Sequence, residues 1–328
     1  KGIIIMKKLI IALSAIAAAV GFTTTAQADI SVSGSSNVAY LSTSGADSDG
    51  DEELAVGNTV DFAMSTTTSG GIGISSSMSL SLDYDGTATA VDGGNAVTFT
   101  TGGSTIVVGD VEISDTIGSV GGVVNGPLDD ASDLSSSVAS GFLDDDGLGA
   151  ELTTAMGAAS INISFVSNDD SDNFGILNSS VSGANAATSA SITMPMGAYS
   201  VTIGVADSDS GESSSGASAS GTFGGGTATI GYSNQTLIAT GNDNLSTDGD
   251  SEVIGATYVM SMDADTTISV GYQNKKDADS HSSTQTDLSV ERAMGGGATV
   301  YLDIRNLSGD TASNADGTAI GFGTSVAF

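Results

Sequence analysis

Residues 72–84 read IGISSSMSLSLDY. Ile72, Ile74, Met78, Leu80, Leu82 and Tyr84 fall on one parity, and Ser75, Ser77, Ser79, Ser81 and Asp83 on the other. Successive side chains of an extended strand point to opposite faces, so a period of two separates an apolar face from a polar one. A helix would instead need apolar residues three to four apart. The pattern continues upstream. Leu54, Val56, Val60, Phe62 and Met64 share a face, with Thr59 and Asp61 opposite, and Ile30, Val32, Gly34, Val38 and Tyr40 share another. Strand signals dominate from Asp29 onward.

The connections alternate in length. Short turns fall at Ser69-Gly70-Gly71, Gly102-Gly103, Gly157, Met196-Gly197, Gly224-Gly225-Gly226, Asp263-Ala264-Asp265 and Gly295-Gly296-Gly297. Between them lie acidic stretches at 43–53, 85–94, 110–146, 167–186, 206–215, 235–250, 275–284 and 308–316, read as long loops. Seven turns and eight loops give sixteen strands of roughly 10 residues each, with short turns at one end and long loops at the other. This predicts an all-β, 16-stranded antiparallel transmembrane β-barrel. Lipid leaves no water for an unpaired edge, so a sheet that spans a membrane must close on itself. A soluble β-sandwich would show the same alternation but gives no reason for the long-short rhythm.

Composition narrows the chemistry. The chain has 328 residues, 39 Asp+Glu, seven Lys+Arg, one His and no Cys, for a formal charge of −32. Zero cysteine excludes disulfides and thiolate metal sites, and this charge argues against nucleic acid as a partner. Residues 6–28 carry Lys7 and Lys8, an apolar run from Leu9 to Phe22 and small residues at Ala26 and Ala28 around Gln27. That is the layout of a secretory signal cleaved after Ala28, with residues 1–5 untranslated and Met6 the start. The apolar run is shorter than the roughly 20 residues of a spanning helix. Residues 29–328 then form one domain. They hold all 39 acids against Lys275, Lys276, Arg292 and Arg305, which leaves −35.

At the C-terminus, Ile320, Phe322, Val326 and the final Phe328 share a face, with Thr324 between them. A last strand ending in Phe resembles the insertion signal of bacterial outer-membrane barrels. Gly255-Ala-Thr-Tyr-Val-Met with Asp265-Thr-Thr-Ile-Ser-Val-Gly-Tyr272 resembles a late hairpin of the Gram-negative general-diffusion porins, particularly their alphaproteobacterial branch. Leu288-Ser-Val-Glu and Ala298-Thr-Val-Tyr-Leu resemble the next hairpin. Thr105-Ile-Val-Val-Gly-Asp110 resembles the strand before that family's third loop. The resemblance implies a water-filled pore for small hydrophilic solutes and ions, in the Gram-negative outer membrane among lipid and lipopolysaccharide. It also implies a homotrimer and a long, inward-folded third loop that narrows the lumen. Such porins commonly set a cluster of wall arginines against an acidic third loop. Four basic residues cannot supply that cluster, so the transverse field is in doubt.

On the polar faces stand Asp61, Asp83, Glu151, Asp287, Glu291, Asp303 and Arg305. The third loop adds Glu112, Asp115, Asp129, Asp130, Asp133, Asp144, Asp145 and Asp146. Carboxylates around a pore lower the energy of cations inside it, which predicts a cation preference. The alternative is that these acids only keep loops solvated. Arg292 lies on an apolar parity beside a turn, where it can snorkel to the interface. Asp47, Asp49 and Asp51, with Glu52 and Glu53, are weak Ca²⁺ candidates, as are the acids at 169–172 and 243–252. None matches a twelve-residue EF loop, so no firm metal site and no cofactor is expected, only loosely bound Ca²⁺. His281 reads as a loop histidine, and no GxSxG elbow or phosphate-binding lysine loop suggests an enzyme. Tyr40, Tyr84, Phe165, Tyr199, Phe223, Tyr232, Tyr258, Tyr272 and Phe322 would form the interface girdles. The reading from another class is a secreted calcium-binding β-rich adhesin or surface-layer protein; regular coil-length repeats would favour it, and none occurs.

Overall fold

The computed structural model describes residues 29–45, 52–82, 91–92, 96–113, 120, 123, 146–166, 186–209, 211–237, 249–276, 282–309 and 316–328. Residues 1–28, read above as an export signal with Ala26 and Ala28 at its cleavage site, lie outside them. The strands are β1 (Asp29–Gly45), β2 (Glu52–Thr67), β3 (Gly73–Leu82), β4 (Val91–Asp92), β5 (Val97–Thr101), β6 (Ser104–Glu112), β7 (Asp146–Met156), β8 (Ala159–Val166) and β9 (Ala187–Met196). They continue as β10 (Tyr199–Ser208), β11 (Ser213–Phe223), β12 (Gly226–Leu237), β13 (Gly249–Ser261), β14 (Thr266–Lys276), β15 (Ser282–Gly295), β16 (Ala298–Gly309) and β17 (Gly317–Ala327). Successive strands pair antiparallel, and β17 pairs with β1, closing the ring. Both β4 and β5 pair with β3, so these two pieces share one position in the wall. The wall therefore has sixteen positions, the number expected.

Several expected loops give residues to the wall, 206–215 the largest share. The stretch 206–215 reads as a loop from its serines and aspartates, but β10 runs to Ser208 and β11 begins at Ser213, with Asp207 opposite Ser213. Only 209–212 connects them, closed by Ser208 N donating to Glu212 O (2.9 Å). Small polar residues keep their backbone groups in the ladder as well as apolar ones do, and on an inner face their polarity is no defect. Likewise Val91–Asp92, inside the expected 85–94 loop, pairs with Ser79 and Leu80.

Glycine sets the tight ends. Gly102 and Gly103 (φ 52° and 93°) join β5 to β6, and Gly224 and Gly225 (φ 58° and 90°) join β11 to β12. Two central residues with positive φ make the hairpin turn whose twist matches its strands, and glycine adopts it without strain.

The faces separate as the alternation predicts. Ile30, Val32, Leu54, Ile203, Ile230, Ile254 and Phe322 point outward and are exposed, as are the girdle candidates Tyr199, Phe223, Tyr232 and Tyr272. Inside, Ser164, Ser233, Gln235, Gln273, Gln285, Asp303 and Arg305 are buried. An apolar belt outside and amides, hydroxyls and charges inside invert the usual order of a water-soluble protein. At the seam, Gly34 and Phe328 exchange both backbone hydrogen bonds at 2.9 Å. Tyr40 and Phe322 stack tilted across it, ring centroids 5.3 Å apart.

Arg292 lies at the turn end of β15. Its Nη1 reaches Asp263 Oδ2 (3.3 Å) and Thr266 Oγ1 (2.6 Å), and both charged partners are exposed. The Asp263 carboxyl is held below its ordinary value, first by the Asp265 amide, then by the hydroxyl and amide of Thr266, and by Arg292. A depressed carboxylate stabilises the fold above its unfolded-state value, and that contribution fades as pH falls through the acidic range. Arg292→Ala should therefore leave the barrel folded, with a small, salt-sensitive loss of stability at neutral pH. Titrating Asp263 by NMR in this variant should still show a lowered value, because the Asp265 amide remains.

Candidate functional site

The interior begins where β6 ends. Val107, Val111 and Ile113 alternate onto its inner face, and Ile113 is 1% exposed. Val111 and Ile113 pack with Val166, Ala187 and Ala206 on the inner ends of β8, β9 and β10. Gly149 on β7 lies beneath Val111, where a Cβ would come within 2.6 Å of Val111 Cγ2. The connection toward β7 thus leaves the wall against the inside of the barrel.

Val120 and Val123, farther along the same connection, meet the far side. The Gln273 amide nitrogen on β14 donates to the Val120 carbonyl. The Val123 amide donates to Asp287 Oδ2 on β15 (3.3 Å). A Cβ on Gly255 of β13 would lie 3.0 Å from Val120 Cβ, and one on Gly271 of β14 would lie 3.2 Å from Val123 Cγ2. Counting wall positions either way round the ring, β14 is eight steps from β6. Val120 and Val123 therefore touch the wall opposite the strand that ends at Glu112.

Asp287 is the hub there. Arg305 Nε stands 3.3 Å from its Oδ1, with both side chains nearly fully buried. Gln285 Nε2 donates to its Oδ2 at 2.7 Å. Asp287 and Arg305 are direct cross-strand partners in the β15–β16 register. An ion pair taken out of water loses hydration, and close geometry with added donors offsets that loss.

Of the other polar-face acids, Asp61 is half-buried and accepts from the Ser79 hydroxyl at 2.5 Å. Glu151 is half-buried and accepts from Asn162 Nδ2 (2.8 Å) and Thr153 Oγ1 (3.2 Å). Glu291 is half-buried, facing Thr267 and Tyr301 across its two ladders. Asp303 is fully buried between Ser289 and Gly321. Asp287 and Asp303 are thus buried on the inner parity of β15 and β16. Glu112 and Asp146 are opposite each other where β6 and β7 end; their side chains lie outside the described residues. So do Asp83, Asp115, Asp129, Asp130, Asp133, Asp144 and Asp145, the Ca²⁺ candidates Asp47, Asp49 and Asp51, and His281. Among the described residues no group of three His, Cys, Asp or Glu could hold a metal ion.

Alternation alone does not single out Gln273, Gly255, Gly271, Val120 or Val123. The available signal was two glycines on the polar parity of adjacent strands, together with the pair of valines flanking Gly121 and Gly122.

A closed ring of sixteen antiparallel strands, apolar outside and polar within, defines a channel-forming outer-membrane β-barrel. A family model described as Gram-negative porin matches residues 12–312. The chain belongs to the Gram-negative porin family and is an outer-membrane diffusion channel. Among solved structures it is similar to an anion-selective porin from Comamonas acidovorans (13% identity, TM-score 0.64, 92% of this chain and 100% of that one). It is also similar to a porin refined at 1.8 Å (17% identity, TM-score 0.64, 92% and 100%). A third is OpdO of Pseudomonas aeruginosa (10% identity, TM-score 0.59, 92% and 97%). Comparison with curated protein sequences returns no match. At these identities the likeness shows the fold alone.

Proposed function

We propose that the channel passes small hydrophilic solutes passively, narrowed by the connection between β6 and β7, and that it favours cations. The carrying observation is the charge balance: 39 acids against seven bases in the chain, with Asp61, Glu151 and Glu291 half-buried on the inner wall. Arg305, the arginine on the inner parity of the described strands, pairs with a carboxylate and does not face another arginine. Fixed negative charge in a low-dielectric cleft concentrates cations and repels anions. The Comamonas neighbour is called anion-selective, so the barrel alone does not set the sign; the lining does.

The reading extends to residues 1–28 as a cleaved export signal and to a homotrimer bounded by lipid and lipopolysaccharide. It also takes the acidic connections as loose Ca²⁺ binders. Liposomes carrying the protein should swell in small sugars and progressively less in larger ones. In a planar bilayer under a KCl gradient, the reversal potential should have the sign of cation preference and move toward zero as millimolar Ca²⁺ screens the acids. Swelling without size dependence would discard the constriction, and a reversal potential of the anion-selective sign would discard the charge filter.

A further inference from the structure

We propose that Gly255, Gly271, Gln273 and Asp287 form a seat that fixes Val120 and Val123 to the wall opposite β6, and that Asp287 is its positioning residue. The proposal rests on reading the barrel as a pore narrowed by this connection. The seat is continuous in the sheet. Gly255 is paired with Gln273, Gly271 with Asp287, Gln273 with Gln285, and Asp287 with Arg305. The missing Cβ atoms of the two glycines open a shallow recess, and Val120 and Val123 fill it at 3.0 and 3.2 Å from where those atoms would stand. Beside the recess the wall offers one donor and one acceptor. Gln273 satisfies the Val120 carbonyl, and Asp287 satisfies the Val123 amide. An apolar fit with matched polar groups fixes a backbone position more sharply than either does alone.

Among the described residues, Asp287 accepts from three donors: Arg305 Nε, the Gln285 amide and the Val123 N–H. Only a carboxylate accepts from all three. An asparagine has the same shape, but one of its two positions becomes a donor, so it must confront at least one of those N–H groups. Losing the carboxylate charge would also remove one counterion from the buried Arg305. Breaking a buried ion pair is unfavourable, and the cheapest relief is release of Val120 and Val123 from the wall. Asp287 therefore sets the width of the passage through the connection it holds, and its charge does not face the permeating ions.

Single-channel recording tests this with four proteins. The wild type must first form channels; if it forms none, the pore reading fails and the seat is moot. Asp287→Asn, purified in its heat-modifiable folded form, should show a conductance higher by roughly twofold and noisier open-channel current, with the ion preference keeping its sign. A conductance and noise equal to wild type would overturn the proposal. The third protein is the double variant Val120→Cys with Gly255→Cys. The native chain has no cysteine, so any disulfide is unambiguous, and a Cβ separation near 3.0 Å has to open by only about 0.5–1 Å to reach disulfide range. On oxidation it should cross-link without changing conductance, and in the Asp287→Asn background the cross-link should restore the wild-type value. Failure to cross-link in the Asp287 chain would show that residue 120 does not sit there, and it decides the matter even if Asp287→Asn does not fold.

Discussion

Arginine in place of Ile203 is expected to cost about 2–4 kcal/mol of barrel stability, whereas arginine in place of Ser218 should cost within about 1 kcal/mol. Ile203 lies at the middle of β10, exposed on the outer face, in register with Ile192 on β9 and Ala217 on β11. A guanidinium there sits at the depth where lipid is most apolar and snorkelling reaches least. Ser218 is the next residue of β11, on the inner face, opposite Thr202 and Gly231. Gly231 leaves room beside it, and the lumen supplies water. The two substitutions thus differ in little except the face they occupy. Urea titration of the folded form in vesicles should separate them by well over 1 kcal/mol. Ser218→Arg should also move the reversal potential toward anions, since it adds a positive charge to an acid-rich lumen. Equal costs for both would mean that the outer face is not in lipid.

The face of each side chain was readable from parity because in a barrel parity is burial: a one-residue slip would put every apolar side chain of a strand into water. That is why the seven short turns and the closing strand fall where alternation places them. Loop lengths were less legible. Serine and aspartate mark loops in a soluble protein, but on a wet inner wall they are ordinary strand residues, and 206–215 was misread for that reason. Arg305 could be placed inside from the sequence; its partner could not. Counted straight from the Gly295–Ala298 pair, Arg305 would oppose Leu288, and only the register shift between Ala293 and Gly295 brings it opposite Asp287. The seat for residues 120–123 was illegible for a deeper reason. The count of sixteen was legible, but no pattern in the sequence says which residues after β6 reach which strand of the facing wall.

Valine in place of Gly149 is expected to be the most damaging single substitution among the wall glycines discussed, destabilising by upward of about 3 kcal/mol. Gly149 pairs with Gly109 on β6 and with Val166 on β8. A Cβ at 149 would run into the Phe165 carbonyl oxygen and the Val111 side chain. The first is backbone, held in the β7–β8 ladder, so relief means opening that ladder and leaving its polar groups unpaired in a setting with no water to replace them. The second, Val111, begins the inward course of the connection to β7, packed with Ile113, Val166, Ala187 and Ala206. Pushing it aside unseats that course at its root. Gly57 on β2 provides the control, because a Cβ there meets nothing within 4 Å and valine suits a strand better than glycine does. Gly57→Val should fold with unchanged or slightly higher stability and wild-type conductance. Gly149→Val should give little heat-modifiable protein, and whatever folds should conduct more than wild type, because the connection has lost its footing on the near wall. If the two variants fold alike, the close approach of Val111 to Gly149 is not a feature of the working protein, and the inward path of the connection would have to begin elsewhere.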